Sequence, residues 1–82
     1  MRTFEERLEV RLKKFEYSQT VLKALEEIRK LLPELEVKER EEEGWYILGI
    51  LDIDDLRDRD HEIESHTSFL RQKLAKQKAP SD

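Results

Sequence analysis

The apolar pattern at the start of the chain fits two kinds of element. Every second residue from 8 to 12 is apolar, which is the period of a half-buried strand. If the segment is helical instead, four apolar residues share one face, at Phe4, Leu8, Leu12 and Phe15. Thr3 and Glu6 also have the spacing of a helix capping box. We predict a strand here, and the helix remains the alternative for residues 3–17.

The next segment is predicted to be a separate helix over residues 19–32. If the chain is drawn as one continuous helix with 100° per residue, the apolar side chains of this segment centre at about 270° around the axis. Those of the first segment centre at about 40°. Two elements joined near residues 17–20 explain this change better than one helix does. Ser18 or Thr20 can cap the second element, and Pro33 ends it. Its buried face is predicted to contain Val21, Leu22, Leu25, Ile28 and Leu32.

Two further strands are predicted after Pro33. Leu35 and Val37 alternate with charged residues, which indicates a strand with one wet face. Residues 42–44 have the composition of a hairpin turn, with Gly44 able to take a positive φ. Residues 45–51 form the most apolar run, and their aromatic and β-branched side chains favour a strand that is apolar on both faces.

A final helix is predicted from a cap at Asp54 or Asp55 to about Lys76, followed by a flexible tail over residues 77–82. Its thin apolar stripe contains Leu56, Ile63, Leu70 and Leu74, filled in by His66 and Thr67. The predicted order is β-α-β-β-α. This is an α+β fold in which two helices pack on one face of a three-stranded antiparallel sheet, as a single domain over residues 1–76.

Such a sheet would leave one apolar face uncovered, unless the last helix crosses over to cover it. An exposed apolar patch usually marks an interaction surface. We therefore predict pairing with another protein chain, as a homo- or heterodimer. The residues predicted to contact partners are Trp45, Tyr46, Leu48 and Ile50 on the sheet, and Ile63, His66, Phe69, Leu70 and Arg71 on the last helix.

Composition supports a protein that needs a partner. The 82 residues are 37% hydrophobic and 44% charged, so the core is thin, and small domains of this kind often gain stability by association. The net charge of −4 argues against autonomous nucleic-acid binding. The basic residues near the C-terminus are better explained as favourable charges at the end of a helix than as an RNA contact. The absence of asparagine, beside abundant Glu, Lys and Arg, is typical of thermophiles.

Catalysis and metal binding are not expected. Without cysteine there is no disulfide, thiolate nucleophile or cysteine-ligated metal. The acidic stretch 52–62 lacks the glycine of a calcium loop and contains arginines, so helix capping is its simpler interpretation. His61 and His66 lie about 140° apart on a helix, too far round to share one metal. We therefore predict that the protein is not an enzyme and has no cofactor. Because no apolar run is long enough to cross a bilayer, we also predict a cytoplasmic location.

Two short segments resemble a known family. The segment 8–12 leading into residues 21–25 is similar to the opening strand and first helix of the small dimerisation subunit of the KEOPS complex. The final helix carries Ser68-Phe69-Leu70-Arg71, which resembles the Ser-x-Leu-Arg pattern of that family's last helix. The resemblance spans roughly residues 6–76.

The resemblance implies a non-catalytic subunit that pairs through its sheet and docks its helices on a catalytic subunit. The family's complex adds a threonylcarbamoyl group to an adenosine beside the anticodon of certain tRNAs. Here the last helix is more polar than the family's, especially at residues 59–62 and 64–66, which favours a heterodimerising paralogue that contacts tRNA only indirectly or weakly. The alternative function is a small acidic antitoxin or inhibitor that neutralises a basic toxin or nuclease.

Overall fold

The chain forms four α-helices and a short 3-10 helix in a computed structural model, which describes residues 3–78. The α-helices are α1 (Phe4–Lys14), α2 (Gln19–Leu31), α3 (Val37–Leu51) and α4 (Leu56–Lys78), and the 3-10 helix is Leu32–Glu34. Residues 3–78 contain no strand. The predicted α+β fold with a three-stranded sheet is therefore wrong, and the fold is all-α.

The first segment takes its helical alternative. The Thr3 hydroxyl accepts a hydrogen bond from the Glu6 amide at 3.3 Å, as a capping residue does. Leu8 is buried at 1% exposure, whereas Val10, which a strand would bury beside it, is 46% exposed. A helix separates these two side chains by about 200° around its axis, which explains the difference.

The change in direction of the apolar face does mark a boundary between two elements. α1 ends at Lys14, and α2 begins after Ser18, whose hydroxyl accepts a hydrogen bond from the Val21 amide at 3.2 Å. The predicted helix over 19–32 is confirmed as α2 followed by the 3-10 helix. Leu22, which was predicted to be buried, lies at the edge of the buried face and is 39% exposed. Pro33 stands in the 3-10 helix that follows α2.

The two strands and the hairpin turn predicted over residues 35–51 are wrong. The supposed turn at 42–44 and the supposed strand at 45–51 belong to one continuous helix, α3, and Val37 begins it. Glu, Lys and Arg dominate residues 38–43 and are good helix formers. The apolar run that follows buries Gly44, Ile47, Leu48 and Leu51 at the spacing of one helical face, with Ile50 beside them. Trp45, Tyr46 and Gly49 remain exposed.

Gly44 has a packing role in α3, not a turn role. Its φ is not positive, so the helix does not use the conformational freedom of glycine there. A Cβ at this position would lie 3.0 Å from Cδ1 of Phe4. The absence of a side chain therefore lets the Phe4 ring lie directly on the backbone of α3, which brings α1 close to α3.

One hydrophobic core joins the four helices. α4 packs on α2 and on α3, and α1 packs on α3. The largest fully buried side chains come from all four helices and are Leu8, Val21, Ile28, Ile47, Ile63 and Leu70. With no sheet to pack against, each helix buries its apolar stripe against another helix.

A buried arginine fastens the loops at one end of the bundle. Arg59, which is 9% exposed, donates to the carbonyl oxygens of Ile53 at 2.9 Å and Glu16 at 3.5 Å. Its guanidinium also lies 5.0 Å from the centre of the Tyr17 ring. The loop between α1 and α2 is thus held against the loop between α3 and α4.

α4 is capped at Asp55, whose carboxylate accepts from the Asp58 amide at 3.0 Å. Ile63, Thr67, Leu70 and Leu74 of the predicted stripe are buried, whereas Leu56 is 58% exposed. The helix continues to Lys78, so residues 77 and 78 of the predicted tail are helical. The rest of that tail, 79–82, lies outside the described residues.

Candidate protein-binding groove

An apolar groove of about 500 Å³ lies between the start of α1, the 3-10 helix and the first half of α3. We call it the α1–α3 groove. Its lining includes the buried residues Gly44 and Leu48 and the half-buried Phe4. Leu32, Pro33, Val37 and Trp45 complete its apolar lining. The volume falls within the range of about 300–1,000 Å³ that is typical of ligand pockets.

The groove exposes large apolar side chains that the core does not cover. Val37 is 65% exposed and Trp45 is 56% exposed. Both lie on the side of α3 that lines the groove, two helical turns apart with Glu41 between them, and we call these two side chains the α3 strip. With Phe4, Leu32 and Pro33 in the same groove they give an exposed apolar patch, which on a highly charged chain is typical of a binding site.

Two arginines at the rim are already engaged within the chain. Arg29 pairs with Glu5 at 3.0 Å, which links α2 to α1. Arg40 donates to the carbonyl oxygens of Leu32, Pro33 and Leu35 at 3.1–3.2 Å. These carbonyls stand where α2 ends, so Arg40 satisfies the end of that helix and fixes one wall of the groove.

The third arginine, Arg7, has spare binding capacity. Its guanidinium lies 4.5 Å from the centre of the Trp45 ring, a cation–π arrangement. Its Nε is buried and has no hydrogen-bond partner among the described residues, and no carboxylate of residues 3–78 pairs with it. Leaving a buried donor unsatisfied costs about 1–3 kcal/mol. Because the protein covers this Nε, a bound acceptor would reach Arg7 through its terminal N–H groups and not through Nε.

The groove differs in charge from the chain as a whole. Three arginines and two glutamates line it, Glu5 and Glu41, so it carries one excess positive charge. The whole chain carries a net charge of −4. The groove is therefore a locally basic and apolar site on an acidic protein.

A second cluster connects α3 with α4 on another part of the surface. The rings of Tyr46 and His66 stack with centroids 4.4 Å apart, and those of His66 and Phe69 with centroids 5.5 Å apart. His66 Nε2 lies 2.5 Å from a carboxylate oxygen of Glu43. Glu43 also lies 3.6 Å from the ammonium group of Lys73, so these side chains link α3 to α4, while Tyr46 and Phe69 remain about half exposed.

Lys73 of α4 also contacts a second glutamate of α3. Its ammonium group lies 3.1 Å from a carboxylate oxygen of Glu39, and Gln77 donates to the same carboxylate at 3.2 Å. The hydrogen bond with Glu39 raises the pKa of Lys73. The same bond, with a smaller effect of Gln77, lowers the pKa of Glu39. Both groups are thus held in their charged forms.

The nine residues predicted to contact partners do not form one surface. Leu48, Ile50, Ile63 and Leu70 are all 4% exposed or less and belong to the core. Trp45 faces the α1–α3 groove. Tyr46, His66 and Phe69 form the aromatic row described above, and Arg71 of α4 pairs with Glu27 of α2.

The acidic stretch 52–62 makes structural contacts. Asp52 pairs with Arg11 through two hydrogen bonds of 2.9 Å, and this bonding lowers the pKa of Asp52. Asp60 accepts a hydrogen bond from the Ser18 hydroxyl at 2.6 Å. His61 is exposed. Over residues 3–78, no three His, Cys, Asp or Glu side chains are grouped so that they could hold a metal ion.

Sequence reasoning missed most of the groove residues, among them Phe4, Arg7, Pro33, Val37 and Arg40. One signal was present. Read as a helix, residues 37, 41, 44, 45 and 48 fall on a single face, which is the face that α3 turns to the groove. Assigning residues 35–38 and 45–51 to separate strands concealed it.

Compared with protein-family models, curated proteins and solved structures, the chain matches none of them. Among residues 3–78, no helix is at once long enough and apolar enough to cross a membrane.

Proposed function

We propose that this protein is a non-catalytic binding module that takes up a segment of another protein chain in the α1–α3 groove. The observation that carries the proposal is the strip formed by Val37 and Trp45, which stays more than half exposed beside a groove of about 500 Å³. When a partner covers apolar side chains that the core leaves in water, their burial lowers the free energy of the complex. A partner would bury that strip as the core buries Leu48 below it.

The two functions suggested by the sequence, a KEOPS subunit and an antitoxin, gain no support from the structure. The KEOPS resemblance implied pairing through a sheet, and residues 3–78 contain no strand. The KEOPS assignment therefore stays a prediction that no structural feature supports. The tRNA role, the thermophilic origin and the cytoplasmic location also stay predictions. The antitoxin alternative rested on acidity, whereas the groove is locally basic. Neither adds to the proposal.

The test compares proteins captured from a lysate of the source organism by the wild-type chain and by two matched variants. Val37→Glu places a charge in the groove at a site that is 65% exposed, so the fold should survive. Leu56→Glu makes the same change at a site that is 58% exposed and does not line the groove. We expect a partner that binds the wild type and Leu56→Glu but not Val37→Glu.

Circular dichroism of both variants supplies the folding control. If every protein captured by the wild type is captured equally by Val37→Glu, the groove is not the binding site and the proposal fails.

A further inference from the structure

We infer that the segment bound in the groove carries a carboxylate that pairs with Arg7, next to an apolar side chain packed on Trp45. This inference rests on the proposed function and specifies the chemistry of the partner. It depends on which groups in the groove are already satisfied and which are not.

Arg7 is the cation in the groove that remains to be paired. Arg29 is neutralised by Glu5, and Arg40 is engaged by three backbone carbonyls. Arg7 has only the face of the Trp45 ring, while its Nε is buried without a partner. The Arg7 Cζ lies 4.5 Å from the centre of the Trp45 ring, and the terminal N–H groups of the guanidinium can donate charge-assisted hydrogen bonds to a carboxylate.

The apolar part of the partner follows from the same geometry. Trp45 and Val37 lie on one strip of α3, and Phe4 lies against the same helix at Gly44. A partner side chain between them contacts apolar atoms on both walls of the groove. Burial of this side chain would also exclude water from the Arg7 ion pair, and ion pairs are stronger where water is excluded. A basic segment is disfavoured because it would meet the excess positive charge of the groove.

The experiment selects binders from a phage library of random 16-residue peptides that lack tryptophan, using the full chain as bait. Trp45 is the single tryptophan of the chain, so its fluorescence reports binding in the groove directly. Peptides whose binding is lost with Val37→Glu are synthesised, together with versions in which each acidic residue is replaced by its amide. Their affinities are measured for the wild type, Arg7→Gln and Arg7→Lys.

We expect the groove-binding peptides to combine a large apolar residue with Asp or Glu. Changing that residue to its amide, or Arg7 to Gln, should each weaken binding roughly tenfold or more, and both changes together should cost little more than one. Arg7→Lys keeps the charge without the planar fork, so it should retain part of the affinity. Circular dichroism must show that both variants are folded.

Three results would overturn the inference. Groove-binding peptides without an essential acidic residue, or with equal affinity for Arg7→Gln, would leave the proposed function standing and remove the carboxylate. If the chain self-associates in sedimentation experiments and Val37→Glu abolishes this, the groove binds a second copy of the same chain. A saturable change in Trp45 fluorescence with decanoate, without any groove-binding peptide, would identify the site as one for small apolar acids and remove the proposed function as well.

Discussion

The two glycines of α3 allow a matched test of how α1 is held. A Cβ at Gly44 would lie 3.0 Å from Cδ1 and 3.3 Å from Cγ of Phe4, whereas a Cβ at Gly49 would meet nothing within 4 Å. Both residues lie within the same helix, and neither has a positive φ. Changing each one to alanine therefore makes the same chemical change in two different surroundings.

The expected magnitudes follow from helix propensity and packing. Alanine in place of a helical glycine stabilises by about 1 kcal/mol, so Gly49→Ala should raise the free energy of unfolding by that amount. Gly44→Ala gains the same propensity but must displace the Phe4 ring, and overpacking costs about 1–3 kcal/mol. The net effect at Gly44 is then between about 0 and 2 kcal/mol of destabilisation. The propensity gain cancels in the comparison, and the remaining difference of about 1–3 kcal/mol measures the Phe4 contact.

Urea unfolding followed by circular dichroism measures these free energies. Each kcal/mol corresponds to a shift of about 4–8 °C in Tm for a domain of this size, so thermal melts provide a second measurement. The control is the same pair of substitutions in a Phe4→Ala background, where the two glycines should become equivalent. Equal stabilisation by Gly44→Ala and Gly49→Ala in the wild-type background would show that Phe4 does not pack on α3, and would remove this support from the groove.

Three further predictions test the core, one ion pair and the loop contact. Leu48→Glu should unfold the chain, seen as loss of helical circular dichroism, because it buries an unpaired charge at 2% exposure; a folded variant would contradict the core assignment. Asp52→Asn should lose at most about 1 kcal/mol, since the pair with Arg11 is partly exposed. The pKa of Asp52 is lowered from 3.8, so its stabilisation is present above about pH 4 and is lost as the pH falls through the lowered value. A Tm difference from wild type that is as large at pH 2 as at pH 7 would refute this. Arg59→Met should cost about 1–3 kcal/mol in urea unfolding by leaving two carbonyl groups without their donor, and a loss below about 0.5 kcal/mol would exclude that role.

The local signals in the sequence were accurate where a side chain acts within its own segment. Ser18 and Asp55, each one of the two candidates at its position, cap α2 and α4, because a capping side chain needs only the amide three residues later. The change in direction of the apolar face separated α1 from α2 for a similar reason. The buried positions of α4 were also predicted, since Ile63, Leu70 and Leu74 repeat at helical spacing.

The strand predictions failed where local pattern was ambiguous. The run at residues 45–51 has the length and composition of a buried strand, and periodicity cannot distinguish such a run from a buried helical segment. Its helical form depends on partners that are distant in the sequence. α1 and α4 both pack on α3, so Leu48 and Ile50 lie in the core and not on an exposed face that could pair with another chain.

The sequence by itself determined the helix caps, the boundary between α1 and α2, and a core too thin to cover every apolar side chain. The tertiary structure decided which apolar side chains remain uncovered. Trp45 was expected to contact a partner, but its neighbours Phe4 and Arg7 come from α1, about 40 residues earlier. The physical reason is that a binding groove belongs to the contact between helices, and the way in which helices pack depends on all their buried faces together.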